Sequence, residues 1–144
     1  MRTTSADHEL ATRLRLGHTY TTDHRAGAAL WAPPGFWREG WADQVRAAPA
    51  AFGLFGLSSA AKRGMAMLRE IEQAHPEGDH WYLAVLGTHP DHQGTGVGAS
   101  VLAPVLARCD LDGTPAYLES SNPKNVAFYN RFGFEVTGQV TPEG

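Results

Sequence analysis

Residues 80–98 read HWYLAVLGTHPDHQGTGVG, and this stretch decides the fold. The apolar run over 80–88 predicts a central strand, and the isolated Gly87 predicts either a β-bulge or a site of close backbone approach within it. After a five-residue loop, a helix opens with three glycines at alternate positions, Gly94, Gly96 and Gly98. Glycines let a backbone approach an anion, and a helix N-terminus favours negative charge. The stretch therefore predicts a strand, a phosphate-binding loop and a helix.

The flanking segments place this stretch in a mixed α/β protein. From residue 80 onward the predicted order is strand, helix, strand, helix, strand, which implies at least one parallel pair of strands with helices covering the sheet. Two strands near residue 25 form a predicted hairpin. The predicted elements outside the opening stretch are a helix over Ser5–Leu16, strands over His18–His24 and Ala28–Ala32, a helix over Ser59–Ala74, a helix end near Cys109, a strand over Pro115–Ser120, a helix from Asn122 to Gly133 and a strand over Phe134–Val140.

The composition describes one globular domain spanning residues 1–144. Of these residues 42% are apolar and 19% charged, enough to bury a core without disulfides. The formal net charge is −3, whereas a dedicated nucleic-acid-binding protein is expected to carry an excess of basic residues. A single cysteine, Cys109, excludes an intrachain disulfide and is expected to be a small core residue. No segment reads as a signal peptide or membrane span, so we expect a cytoplasmic protein without a membrane partner.

Two ligands compete for the glycine loop. Gly94, Gly96 and Ala99 satisfy the dinucleotide pattern G-x-G-x-x-[GA], and Glu119 lies roughly where a ribose-binding acid is expected. Against this, residues 89–93 separate the strand from the first glycine, and only 46 residues follow Gly98, too few for a doubly wound sheet. A dinucleotide-binding oxidoreductase fragment is therefore the minor alternative.

The second interpretation of the loop starts from Gln93, Gly96 and Gly98, which match the pattern [QR]-x-x-G-x-[GA]. This resembles the pyrophosphate loop of the GNAT superfamily of acyl-CoA-dependent N-acetyltransferases. The segment 125–134, NVAFYNRFGF, resembles the second signature of that family, and the two signatures occur in the family's order and spacing. Within the family, the stretches around Glu119 and the loop are similar to puromycin N-acetyltransferase and its actinobacterial relatives.

The resemblance implies a cosubstrate, an acceptor and a set of site residues. The cosubstrate is acetyl-CoA, no metal is required, and the acceptor is a small-molecule amine rather than nucleic acid. Tyr129 is the expected proton donor to the CoA thiolate, since a phenol with a pKa of about 10 is a suitable acid, and Glu119 is the expected proton acceptor, directly or through a water. The residues expected to bind the cosubstrate are Leu86, Thr88, Gln93, Gly94, Thr95, Gly96, Val97, Gly98 and Asn125.

The family pattern also implies a mixed twisted sheet flanked by helices, with the CoA-binding core over about residues 80–134. Compared with that pattern we expect the first strand and the final strand to be missing, which leaves a partial domain. The chain is then expected to be a monomer of reduced stability or a strand-exchanged homodimer. A CoA-binding module without catalysis is the second alternative. His89 and His92 have ligand spacing, but no third ligand accompanies them and we predict no metal site.

Overall fold

The computed structural model describes residues 18–38 and 59–141, which fall into two compact units. Of the described residues, the first unit contains 18–38 and 78–119, and the second contains 59–77 and 120–141. The predicted helix over Ser5–Leu16 lies outside them. None of the helices in these ranges has both the length and the apolar character needed to cross a membrane.

The described residues of the first unit contain a four-stranded mixed sheet, with the strand order β1-β2-β3-β4. Strands β1 and β2 form the predicted antiparallel hairpin, β2 and β3 are also antiparallel, and β3 and β4 are parallel. This confirms the mixed α/β fold with a parallel pair. The strands are β1 (His18–Thr21), β2 (Gly27–Ala32), β3 (Trp81–Thr88) and β4 (Ala116–Leu118).

Strand β1 ends at Thr21 rather than at the predicted His24, because the hairpin turn begins at Thr22. The Thr22 carbonyl accepts a hydrogen bond from the Arg25 N–H, and its hydroxyl accepts one from the Ala26 N–H, each at 2.9 Å. Arg25 itself has a left-handed backbone with φ 52°. A strand cannot continue through that geometry.

The predicted bulge at Gly87 is wrong. Gly87 pairs in regular register with Ala28, and the irregularity between β2 and β3 instead leaves Ala84 as the extra residue of β3. Gly87 is exposed, and a Cβ added to it would meet nothing within 4 Å. An isolated glycine in a strand indicates either a bulge or a close approach, and here the close approach occurs at Gly27 on the neighbouring strand.

One long helix of the first unit packs against β2 and β3. Two helices of 16 residues lie wholly within the described residues: α1 spans Ser59–Ala74, and the helix that packs on the sheet, α2, spans Val97–Asp112. The apolar face of α2 follows the helical repeat, which is why one side of it is buried. The buried residues of that face are Val101, Leu102, Val105 and Cys109.

A glycine lies at each end of α2, one on the neighbouring strand β2 and one at the end of the helix itself. At its start, a Cβ on Gly27 would collide with the Val97 side chain and lie 3.0 Å from the Gly87 carbonyl oxygen, so only glycine admits this packing. At its end, Gly113 has φ 67° and its N–H bonds to the Cys109 carbonyl. The helix therefore continues past the predicted end at Cys109, because the left-handed glycine that stops it comes later.

The second unit contains α1, whose bounds match the prediction, and the segment after β4. There Asn122 accepts a hydrogen bond from the Lys124 N–H at 3.0 Å, and a 3-10 turn over Pro123–Asn125 leads into helix α3 (Val126–Asn130). Gly133, with φ 87°, ends this helical region as predicted.

The predicted strand over Phe134–Val140 is wrong, since these residues have no regular secondary structure. A strand requires a hydrogen-bonded neighbour. Within the described residues, no strand pairs with Phe134–Val140.

Candidate functional site

The glycine-rich loop joins β3 to α2 through a 3-10 turn over Pro90–His92. Gly94 and Gly96 both have left-handed backbones, with φ 76° and 85°, which explains why glycine stands at these positions. The Thr95 hydroxyl donates a hydrogen bond to the His92 carbonyl and so closes the loop on itself. A Cβ added at either glycine would meet nothing within 4 Å, so the loop backbone is open on its outer side.

The N-terminus of α2 follows this loop directly. Gly96 is the residue that precedes the helix, and no side chain caps it. The Ser100 N–H bonds to the Gly96 carbonyl at 3.1 Å, whereas the N–H groups of Val97, Gly98 and Ala99 lie in the first turn, where a helix offers no carbonyl partner. These N–H groups can donate hydrogen bonds to an anion, and the helix dipole adds about half a positive charge that attracts it. The residues present therefore fit a diphosphate, which is the group that the sequence predicted here.

The pairing of β3 with β4 ends before β3 reaches this loop. They pair only over Trp81–Leu83 and Ala116–Leu118, although β3 continues to Thr88. From Ala84 onward, no strand of the described residues covers that side of β3. The pairing of β3 with β4 thus ends at Leu83, four residues before Gly87, where a bulge was expected to separate the strands. Leu86 and Thr88 lie on this uncovered part of β3, and both are half-buried.

Glu119 follows β4 immediately and lies against two tyrosines. The Tyr82 hydroxyl donates a hydrogen bond to Glu119 Oε2 at 2.9 Å. Tyr82 is buried with 3% of its surface exposed, and burial together with the carboxylate raises its pKa well above the ordinary value. Burial, the Glu119 charge and a hydrogen bond to Glu119 raise the pKa of Tyr117 to about 12. Glu119 therefore lies beside two phenols that stay protonated.

A buried histidine completes this cluster. His80 is 2% exposed, and its Nδ1 lies 2.8 Å from the Gly78 carbonyl oxygen, which can only accept, so Nδ1 carries the proton. The His80 ring meets the Tyr117 ring edge-on, with centroids 6.0 Å apart.

The sequence interpretation missed Tyr82 and Tyr117 as site residues. Residues two apart in a strand share a face, which groups Tyr117 with Glu119, and the predicted parallel pair could have brought residue 82 to them.

The other predicted site residues, Asn125 and Tyr129, belong to the second unit. Asn125 is exposed, and although it directly precedes helix α3, its side chain makes no cap hydrogen bond. Tyr129 is half-buried and packs edge-on against Phe128 and Phe134, with centroids 5.2 Å and 5.9 Å apart. Burial raises its pKa above the ordinary value.

The two histidines of the loop that have metal-ligand spacing lie close together in the structure. His89 and His92 lie close, with ring centroids 5.8 Å apart, and His89 Nδ1 is 3.7 Å from an Asp91 carboxylate oxygen. Within 18–38 and 59–141, however, no group of three or more His, Cys, Asp or Glu is placed to hold a metal ion. Cys109 is buried in the apolar face of α2, as predicted.

Comparisons with known proteins agree with the resemblance of the motifs. A sequence model of the acetyltransferase (GNAT) family matches residues 17–134. The chain is 42% identical over 57 residues to an uncharacterized N-acetyltransferase of Schizosaccharomyces pombe, and 38% identical over 58 residues to a mycothiol acetyltransferase of Brachybacterium faecium. These matches cover 39% and 38% of this chain, but only 23% and 18% of the two relatives.

Solved structures show the same fold. The structure of a histone acetyltransferase HPA2 and related acetyltransferase from Corynebacterium glutamicum has a TM-score of 0.58 and 25% identity, and the match covers 94% of this chain and 64% of that one. An acetyltransferase of Trypanosoma brucei has a TM-score of 0.51 and 13% identity over 97% of this chain and 76% of that one, a likeness of fold alone. The chain belongs to the acetyltransferase (GNAT) family, whose members transfer acyl groups from acetyl-CoA.

Proposed function

We propose that this chain transfers the acetyl group of acetyl-CoA to the primary amine of a small molecule, by direct attack within a ternary complex. The observation that carries the proposal is the loop over residues 93–98. Two left-handed glycines with open outer sides precede a helix N-terminus that no side chain caps. Such an arrangement suits the diphosphate of CoA.

The net charge of the chain and the charge of Glu119 both support an amine as the acetyl acceptor. The net charge of −3 disfavours a polyanionic acceptor, and the Glu119 carboxylate beside two aromatic rings favours a cationic amine. The resemblance to puromycin N-acetyltransferase supports an acceptor of small-molecule size.

The proposed reaction needs a base for the amine and an acid for the leaving thiolate. The bound amine first loses its ammonium proton to solvent; the neutral nitrogen then attacks the thioester carbonyl carbon, the C–N bond forms and the C–S bond breaks. Glu119 takes the proton that the nitrogen loses, directly or through a water, and Tyr129 donates its phenol proton to the sulfur. Solvent then returns a proton from Glu119 to Tyr129. The phenol of Tyr129 is protonated at neutral pH, as an ordinary tyrosine is, and burial raises its pKa further.

The remaining predicted residues bind and orient the cosubstrate in this proposal. Backbone N–H groups over residues 94–98 hold the diphosphate, with Gln93 at the entrance to the loop. Backbone groups near Leu86 and Thr88, on the side of β3 that β4 leaves uncovered, pair with the pantetheine arm and polarise the carbonyl oxygen. Asn125 supplies a hydrogen bond to the same arm.

A pair of glycine substitutions tests the loop. Gly96 and Gly113 both have left-handed backbones and open Cβ positions, so alanine costs each about 1 kcal/mol of backbone strain. Only Gly96 belongs to the loop. We expect Gly96→Ala to weaken acetyl-CoA binding about tenfold in calorimetry, the equivalent of one hydrogen bond to a charged group. Gly113→Ala should bind like the wild type.

Catalysis is measured separately, as release of the CoA thiol with a panel of primary amines. Thiol release that depends on the amine supports the proposal. Acetyl-CoA binding without thiol release from any amine contradicts catalysis and indicates a CoA-binding module. Binding of NAD in place of acetyl-CoA contradicts the whole proposal and favours the dinucleotide interpretation.

A further inference from the structure

We propose that Tyr82 is a positioning residue, which holds the Glu119 carboxylate in one orientation at the point where β3 and β4 separate. The Tyr82 hydroxyl donates to Glu119 Oε2 at 2.9 Å, and the tyrosine is 3% exposed. This inference rests on the proposed function, in which Glu119 accepts the proton of the amine. Tyr82 acts through Glu119 and does not itself exchange a proton with the amine.

The register of the parallel strands explains why a side chain is needed for this task. Tyr82 pairs with Tyr117, and pairing ends one residue later at Leu83 and Leu118. Glu119 is therefore the first residue beyond the ladder, where its backbone no longer pairs with β3. The hydrogen bond from Tyr82 runs diagonally to the residue two beyond its own partner, a distance that aromatic and long side chains span. It ties Glu119 back to the rigid part of the sheet.

The tyrosine is well suited to hold a carboxylate still. It is buried, and its ring lies nearly parallel to that of Tyr117, at 28° with centroids 6.3 Å apart. A packed ring has few alternative rotamers, so its hydroxyl has a fixed place. Tyr117 adds a second phenol hydrogen bond to the same carboxylate and packs against His80. Catalytic groups need such supporting contacts to stay within about 0.5 Å of their working geometry.

The first test compares two Tyr→Phe variants in the acetyl-transfer assay. Tyr82→Phe removes the hydroxyl and keeps the ring, and we expect kcat to fall about tenfold, the effect of one hydrogen bond to a charged group. The KM for acetyl-CoA should not change, because Tyr82 holds the carboxylate and does not belong to the residues proposed to bind the cosubstrate. Tyr20→Phe is the control, since Tyr20 is half-buried in the same sheet and stacks on His18.

Non-additivity separates positioning from a general structural effect. In a Glu119→Gln background, Tyr82→Phe should lower kcat by less than about twofold, because the group that it positions is already disabled. A further tenfold loss in that background overturns the proposal.

A second measurement does not depend on activity. Tyrosine labelled with ¹³C at Cζ gives four signals, one for each tyrosine of the chain, and Tyr→Phe variants assign them. Glu119→Gln should shift the Tyr82 signal at pH 7, whereas Glu135→Gln at an exposed position should not. An unmoved Tyr82 signal overturns the hydrogen bond in solution.

The outcomes distinguish this proposal from the proposed function. If the wild type transfers acetyl groups and Tyr82→Phe behaves like Tyr20→Phe, the positioning role is refuted and the acetyltransferase assignment stands. If the wild type binds acetyl-CoA and transfers to no amine, the proposed function is refuted, and the positioning role of Tyr82 with it. The tenfold fall in kcat together with the shifted Tyr82 signal supports both.

Discussion

The first turn of α2 approaches β2 so closely at Gly27 that a methyl group has no room there. A Cβ at this position would collide with Cγ1 of Val97, and it would lie 3.0 Å from the Gly87 carbonyl oxygen and 3.5 Å from Thr88 Oγ1. Gly27 does not have a left-handed backbone, so Gly27→Ala acts through volume alone. Overpacking of a filled site costs about 1–3 kcal/mol. We expect a loss of about 2 kcal/mol in the free energy of unfolding.

A second substitution identifies the contact responsible. Val97→Ala removes the Cγ1 atom, so the double variant should be more stable than the sum of the single effects predicts, by about 1 kcal/mol. The rescue should be partial because the Gly87 carbonyl remains in place. Urea unfolding measures all four proteins, and acetyl-CoA affinity should follow the same order because displacement of α2 moves the loop. Additive effects, or a Gly27→Ala variant as stable as the wild type, would refute this reasoning.

Three other residues, Tyr117, Cys109 and Asn122, lead to predictions that can be measured. Burial and the Glu119 carboxylate raise the pKa of Tyr117 to about 12 from about 10. The protonated Tyr117 phenol therefore contributes fully to the stability of the folded state below pH 10, and this contribution is lost as the pH rises to 12. Glu119→Gln should reduce that loss in urea unfolding at stepped pH, and equal alkaline slopes would contradict it. Burial raises the pKa of the Cys109 thiol, so a thiol reagent at pH 8 should modify it only as the chain unfolds, and rapid modification of the native protein would contradict this. The Asn122 side chain accepts a hydrogen bond from the Lys124 N–H and so caps the helical turn that follows. Thermal unfolding should show that Asn122→Ala lowers the free energy of unfolding by about 1 kcal/mol, whereas Asn122→Asp does not. Equal losses in the two variants would exclude the cap.

Local signals in the sequence predicted the helices well. The bounds of α1 and the stop at Gly133 match the structure, and the end of α2 was placed only a few residues early. Turn and cap residues act within a few positions of themselves, so their effect can be predicted without knowledge of the rest of the chain. The glycine loop could be predicted for the same reason, because Gly94 and Gly96 meet the need for a left-handed backbone at their own positions.

Pairing between strands was less predictable, because it depends on residues far away in sequence. The irregularity of β3 falls at Ala84, which has no local signal, and the glycine that a close contact requires is Gly27 rather than Gly87. The strand expected over Phe134–Val140 has the right residue alternation but no partner in the described parts of the chain. Tyr82 was missed for the same reason, since only the register with β4 brings it to Glu119.

An NMR titration of ¹⁵N-labelled protein with acetyl-CoA measures most directly whether the glycine loop binds the diphosphate. We expect the N–H signals of Gly94, Gly96 and Gly98 to shift progressively, while that of Gly113 at the far end of α2 stays in place. NAD at the same concentration should leave the loop signals unmoved. Binding of acetyl-CoA that shifts other residues and not these three glycines, or no shift at millimolar acetyl-CoA, would contradict the assignment of this loop.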